Sequence, residues 1–219
     1  MNVLHLDEQT GWRGGEQQAS WLIQGLVRRG HRVFLAGKPH GEFLKSAHGG
    51  VDMVKIALPF LSEFDLYTAW RLSRVIVNNR IDIVHAHSSH AHSMAILARR
   101  FARRGKVVVS RRVSFEPKKN VFNRWKYHQP DMLIAVSGKV GDVLREYGIP
   151  EDKRTVVYSS VDLARLAVPP IPRAELDVPE NATLVVSAGA LVGHKDHETL
   201  IKALPQVKRH FPNLLVLIA

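Results

Sequence analysis

The sequence predicts an α/β fold built on a doubly wound parallel sheet, and three observations carry that expectation. Short apolar runs of strand length alternate with longer segments whose apolar residues recur at helical spacing. Runs such as "NVLHL" (2–6) and "KVVVS" (106–110) read as buried strands. The composition, 45% hydrophobic and 23% charged over 219 residues, is that of a globular protein with room for one large domain and part of another.

Taken in order, "NVLHL" is followed by residues 16–29, which place Ala19, Leu22, Ile23 and Leu26 on one helical face before a stop at Gly30. Strands are expected at 31–36 and 51–58, a helix at 63–79 and a strand at 81–87. A helix near 91–103 leads to the strand 106–110, a basic loop and a short helix around "VFNRWKY". After a strand at 131–136, Ser137 caps a helix that ends at Gly148, and 154–158 is the last strand of this half. Four prolines between residues 169 and 179 mark a boundary. The expected domains are therefore 1–168 and 182–219, joined by a proline-rich linker at 169–181. The pattern restarts with "TLVVSAG", "HETLIKALPQVKRH" and "NLLVLIA", and Pro205 is expected to kink or break the middle helix. A strand–helix–strand of about 50 residues is a small core. This second half is expected to be the beginning of a domain.

Composition narrows the function. No apolar run reaches membrane-spanning length, the N-terminus lacks the features of a signal peptide, and the absence of cysteine excludes disulfides and thiolate metal sites. These features fit a cytoplasmic protein. The net charge of +11 is concentrated: residues 99–126 hold eleven Lys/Arg against Glu116 alone. Such a face suits nucleic acid, anionic lipid headgroups or a phosphorylated substrate.

Two segments carry candidate chemistry. "QTGWRGGEQQAS" (9–20) places Gly11, Gly14 and Gly15 where a strand hands over to a helix. Either the turn needs positive φ, or bare backbone amides await a phosphate. "HAHSSHAH" brings His85, His87, His90 and His92 together, with neither cysteine nor acid among them. Imidazoles satisfied by strand-end hydrogen bonds are therefore expected over a zinc site.

Together these features resemble the GT-B glycosyltransferases of family 4. The resemblance rests on the Gly14–Gly15 turn, "RGHRV" (29–33), "DIVHAHSSHA" (82–91), the run from Ala135 to Asp162, and "VVSAGALVGHKDHETLIKAL" (185–204). It implies a Rossmann-like N-terminal acceptor domain followed by the start of a Rossmann-like donor domain. The implied reaction is metal-independent, retaining transfer from a nucleoside diphosphate sugar to a surface-glycan or lipopolysaccharide-type acceptor. Gly14, Gly15 and Lys195 would grip the diphosphate, and His87 would lie at the reacting sugar. Arg111, Arg112, Arg103 and Arg104 would face an acceptor or other anion, with peripheral contact to the inner face of the membrane. No cofactor, metal or nucleic-acid partner is expected. The alternative is a basic α/β module that binds nucleic acid or another anion.

Two departures stand out. Ser159 and Ser160 replace the usual Asn-Gly, and Ala190 replaces an arginine expected at the diphosphate. His194, Arg13, Arg111 or Arg112 would have to supply the missing charge. The family's acidic ribose-holding motif is not among these residues, and the 219-residue chain alone is expected to be inactive.

Overall fold

The computed structural model describes residues 1–46, 53–163 and 167–219, and the chain divides into two compact units, Met1–Val161 and Asp162–Ala219. The first unit runs β1 (Asn2–Leu6), α1 (Gly14–Arg28), β2 (Arg32–Gly37), α2 (Glu42–Lys45), β3 (Val54–Ala57), α3 (Leu66–Asn78) and β4 (Ile83–Ala86). It continues with α4 (Ser89–Ala102), β5 (Lys106–Arg111), α5 (Val121–His128), β6 (Met132–Ala135), α6 (Gly138–Glu146) and β7 (Arg154–Val156). Val51 and Asp52, expected to open the third strand, lie outside the described residues.

The seven strands form one parallel sheet in the order β3-β2-β1-β4-β5-β6-β7, the expected doubly wound, Rossmann-like arrangement. Strand periodicity divides its faces. Leu4, Leu6, Phe34, Val84, Val107, Val109, Leu133 and Ala135 pack on one side in a core shared with Leu72 and Ile76 of α3 and Met94 of α4. The opposite side pairs Val33 and Leu35 with Ala19 and Ile23 of α1 and with Phe43. Local signals set the helix ends. Asp65 accepts from the Thr68 amide at the start of α3, and Ser137 accepts from the Val140 amide at the start of α6. Gly30 and Gly148 take φ of +77° and +87° just past α1 and α6, a conformation that costs glycine little.

In the second unit, β8 (Thr183–Ser187) and β9 (Leu214–Ile218) pair in parallel around α7 (His197–Lys208). The helix runs through Pro205, so the expected break does not occur. A proline removes only its own amide bond, and the residue whose carbonyl loses that bond, Ile201, is exposed to water.

Candidate functional site

Strand order reverses between β1 and β4, so the loops leaving their carboxyl ends diverge and open a crevice. The register sets His5 of β1 directly beside His85 of β4. His87, one residue beyond β4, is held by its amide donating to the Leu6 carbonyl at 3.0 Å. Three buried imidazoles thus share the α1 side of the sheet. The His87 ring stacks on His5 with centroids 5.1 Å apart and lies 4.3 Å from that of His85.

Arg112 organises this group. Its guanidinium donates to the His87 carbonyl at 3.1 Å and to His87 Nδ1 at 3.2 Å. A guanidinium can only donate, so Nδ1 of His87 is an acceptor. The ring proton then sits on Nε2, which donates to His5 Nδ1 at 2.8 Å. His85 Nε2 meets Ser110 Oγ at 2.8 Å. Burial, neighbouring imidazoles and Arg112 hold His87 well below the usual histidine range; burial and Arg112 push His85 down to about 3. Both rings are neutral at physiological pH.

Ring nitrogens of His5, His85 and His87 lie within 4.8 Å of one another, the composition of a candidate metal site. The geometry fits a hydrogen-bonded chain better. Tetrahedral zinc ligands at about 2.1 Å from the ion stand roughly 3.4 Å apart. The His5–His87 nitrogens are at 2.8 Å, and a guanidinium occupies the other His87 nitrogen.

The amino end of α1 faces the same Arg112. Among the described residues neither Gly14 nor Gly15 takes positive φ, which removes the tight-turn explanation. A Cβ at Gly14 would meet nothing within 4 Å, whereas one at Gly15 would lie 3.3 Å from Arg112 Cδ. The first intrahelical bond is from Gln17 to the Arg13 carbonyl, so the amides of Gly14, Gly15 and Glu16 precede the ladder at the positive end of the helix. A glycine-bare helix terminus beside a largely buried cation can hold an anion.

Acidic residues complete the surroundings. Asp7 is 1% exposed, and burial with the charges of Glu16 and Glu8 raises its pKa to about 7 against the opposing pull of the Gln9 amide and Arg112. Its loop rests on glycine: a Cβ at Gly37 would stand 2.6 Å from the Asp7 carbonyl oxygen, and one at Gly41 would stand 2.8 Å from that of Gln9. Glu8 accepts from Ser88 Oγ and the Ala91 amide, capping α4. On the α1 side, a cavity of about 550 Å³ is lined by Trp21, His85, Ser110, Arg112, Ile134 and Tyr158 among others. Gln18 of α1 binds the Ser160 carbonyl at 2.6 Å beside it.

The expected site residues do not all converge. Arg111 is the last residue of β5 and Arg112 the next, and their side chains go to opposite faces, Arg112 to His87 and Arg111 to Tyr127. Arg111 is buried against Tyr127 and Phe115, with its guanidinium bonded to the Tyr127 hydroxyl and the Phe115 carbonyl. Arg103 and Arg104 lie at the amino ends of the strands, the edge opposite His87. Arg104 donates to the Ile81 and Arg80 carbonyls and pairs with Asp82. His92 bonds the Lys126 carbonyl at 3.1 Å, and His90 is exposed. In the second unit, Lys195 is exposed with its stem beside Gly189, and His197 meets the Ala190 carbonyl at 3.3 Å. The His194 side chain lies outside the described residues. Sequence reasoning missed His5 and Asp7, although a histidine and an acid around the carboxyl end of a first strand were there to be noticed.

A stability prediction follows from the buried imidazoles. Burial also pushes His92 down to about 3, against an ordinary value of 6.5. With folded values below unfolded ones, the stabilisation is complete above 6.5 and is lost as pH falls towards the folded values. Melting temperature should drop steadily from about pH 6.5 to about pH 4, and His92→Leu should flatten part of that slope. A flat profile in the parent would contradict the buried neutral rings.

Residues 12–165 match the model of the family described as Glycosyltransferase Family 4. No curated protein matches the chain. Anabaena Alr3699/HepE, solved in complex with UDP and glucose, superposes with TM-score 0.77 at 18% identity, covering 100% of this chain and 60% of its own. A glycosyltransferase from Rickettsia africae ESF-5 gives 0.82 at 21% identity, covering 99% and 59%. The lipopolysaccharide outer core galactosyltransferase WaaB, in its apo form, gives 0.67 at 14% identity, covering 100% and 68%. The chain thus spans about 60% of the length of the first two relatives.

Proposed function

This chain belongs to glycosyltransferase family 4, and on that premise we propose that its site serves retaining transfer of a sugar from a nucleoside diphosphate sugar to a glycan or glycolipid acceptor of lipopolysaccharide type. The observation that carries the reading is the glycine-bare start of α1 beside Arg112, at the point where strand order reverses. A diphosphate accepts from the Gly14 and Gly15 amides, and the Arg112 guanidinium neutralises the charge that grows as the glycosidic bond breaks. Lys195 of the second unit supplies a further cation and Arg112 offsets the arginine absent at Ala190, so no divalent metal is required. His87 contacts the donor sugar when its Nε2–H exchanges His5 for a sugar hydroxyl. HepE and WaaB, whose descriptions name UDP with glucose and lipopolysaccharide galactosyl transfer, support the donor and acceptor classes.

The proposed organisation is an acceptor-side domain at 1–168, a linker at 169–181 and the start of a donor domain at 182–219. The protein would work at the inner face of the membrane. Among the described residues no helix is long and apolar enough to cross a bilayer.

Nucleotide binding tests the carrying observation. In Gly15→Val the new side chain presses on Arg112, whose Cδ already lies 3.3 Å from a Cβ built there. A branched side chain there also blocks the approach of a phosphate to the bare amides, so affinity should fall about tenfold, a loss of about 1.4 kcal/mol. Titration calorimetry with a nucleoside diphosphate sugar should show that weakening. Unchanged affinity would reduce the loop to a connection.

A further inference from the structure

His5 is a polar residue on a strand that is otherwise core. It is wholly buried on β1, where Val3, Leu4 and Leu6 are buried apolar side chains. An imidazole in such a place is costly unless its nitrogens are hydrogen-bonded, so packing alone does not account for it. Its Nδ1 meets Nε2 of His87 at 2.8 Å, and the two rings lie within 8° of parallel.

His87 is thereby held at both ring nitrogens. Arg112 donates to Nδ1 at 3.2 Å, and a guanidinium has no lone pair to offer in return. The proton of the neutral ring therefore lies on Nε2, and His5 Nδ1 accepts it. An imidazole bonded at one nitrogen still swings about its side-chain torsions. Bonded at both, it has one orientation. The backbone reinforces this, because the His87 amide donates to the Leu6 carbonyl of the strand that carries His5. His85, whose ring centroid is 4.3 Å from that of His87, directs its Nε2 to Ser110 Oγ instead.

We propose that His5 is a positioning residue, which fixes the His87 ring so that Nε2–H is presented as a hydrogen-bond donor in one direction. The inference rests on the reading of His87 as the contact to the donor sugar, and it adds what makes that contact directional. Arg112 closes Nδ1, so His87 has no lone pair with which to take a proton. Its part in transfer is to donate to a sugar oxygen. When that oxygen takes the place of His5 Nδ1, the ring is already aimed, and little orientational freedom is left to lose. A hydroxyl suits the exchange, because it can accept from His87 while donating to the Nδ1 left behind.

Imidazole NMR of the 219-residue chain, with nitrogen-labelled histidine, tests the positioning without any sugar nucleotide. In the parent, the His87 Nε2–H should give a resolved proton resonance that exchanges slowly with water. His5→Phe keeps a ring but removes the acceptor, and exchange should quicken about tenfold, the scale of one net hydrogen bond. His5→Asn should restore slow exchange, since its Oδ1 stands as many bonds from Cα as Nδ1 of histidine does. Should His5→Phe not fold, His5→Leu gives the same comparison.

Transfer supplies the second readout, in a form of the protein that carries a complete donor domain. There His5→Phe should lower kcat about tenfold with a smaller change in KM, and His5→Asn should recover most of the loss. Once His87 is alanine, His5→Phe should have no further effect, because it acts only through that ring. A residue that merely supports the fold would instead add its loss to that of His87→Ala. Parental exchange in His5→Phe, or an asparagine variant that behaves like phenylalanine, would overturn the positioning itself. Unchanged transfer in His87→Ala would overturn the sugar contact, and additive losses would overturn the route through His87.

Discussion

In a form of the protein that carries a complete donor domain, Arg112→Ala is expected to lower sugar transfer by about two to three orders of magnitude, the scale for removing one preorganised donor from a developing anion. Two effects combine. The guanidinium that would face the diphosphate disappears, and the carbonyl and Nδ1 of His87 lose their shared donor. Without that donor the His87 ring is free to change tautomer or turn away from His5. Arg112→Lys should recover only part of the loss, because one ammonium lacks the planar fork that spans two acceptors. The loss should fall mainly on kcat if the charge acts in the transition state, and on KM if it only holds the donor. Transfer kinetics at wild-type level in Arg112→Ala, with the variant folded by circular dichroism, would remove Arg112 from the site.

Asp7→Asn should stabilise the first unit at alkaline pH. The Asp7 carboxyl has a folded pKa of about 7 against an ordinary value of 3.8. A raised folded value means that its favourable contribution is complete below the unfolded pKa and is lost as pH rises through the folded one. At about pH 8 the parent therefore carries a buried carboxylate whose cost is on the order of a few kcal/mol. Asparagine keeps an oxygen for the Gln9 amide and sheds the charge. The variant should melt above the parent at about pH 8, and the two should converge near pH 4. The same titration acts on ligand binding. Ionised Asp7 beside Arg112, Glu8 and Glu16 opposes an incoming anion, so nucleotide affinity should weaken through pH 7 in the parent and not in the variant. Equal melting profiles across the range would show that Asp7 is already ionised at lower pH.

The sheet was legible because strands such as 106–110 and 131–136 are short apolar runs bounded by polar residues, and because Ser137 and Gly148 are local signals that act on their own helix. The Gly14–Gly15 terminus was equally legible, since a strand-to-helix handover is a local event. His5 was not. Its importance comes from β1 lying beside β4, which sets His5 opposite His85 across 80 residues of chain. The division of the basic segment was hidden for the same reason. Arg103, Arg104, Arg111 and Arg112 form one charge run in sequence, but β5 carries the chain from one edge of the sheet to the other between the two pairs. Asp7 acquires its raised pKa from burial first, with Glu16 and Glu8 adding to it, a property of packing and not of residue type.

The Arg111–Arg112 pair also bears on how this gene can change. Either codon can be substituted singly, and the effect stays on one side of the sheet. Deleting one codon between them and the start of β5 is different, because strand register alternates faces. If the start of β5 holds its place, an in-frame loss within 107–110 would move Arg112 into the Tyr127 and Phe115 environment and leave the histidine crevice without its cation. Insertions and deletions in this strand should therefore be rarer among descendants of the sequence than substitutions at either arginine.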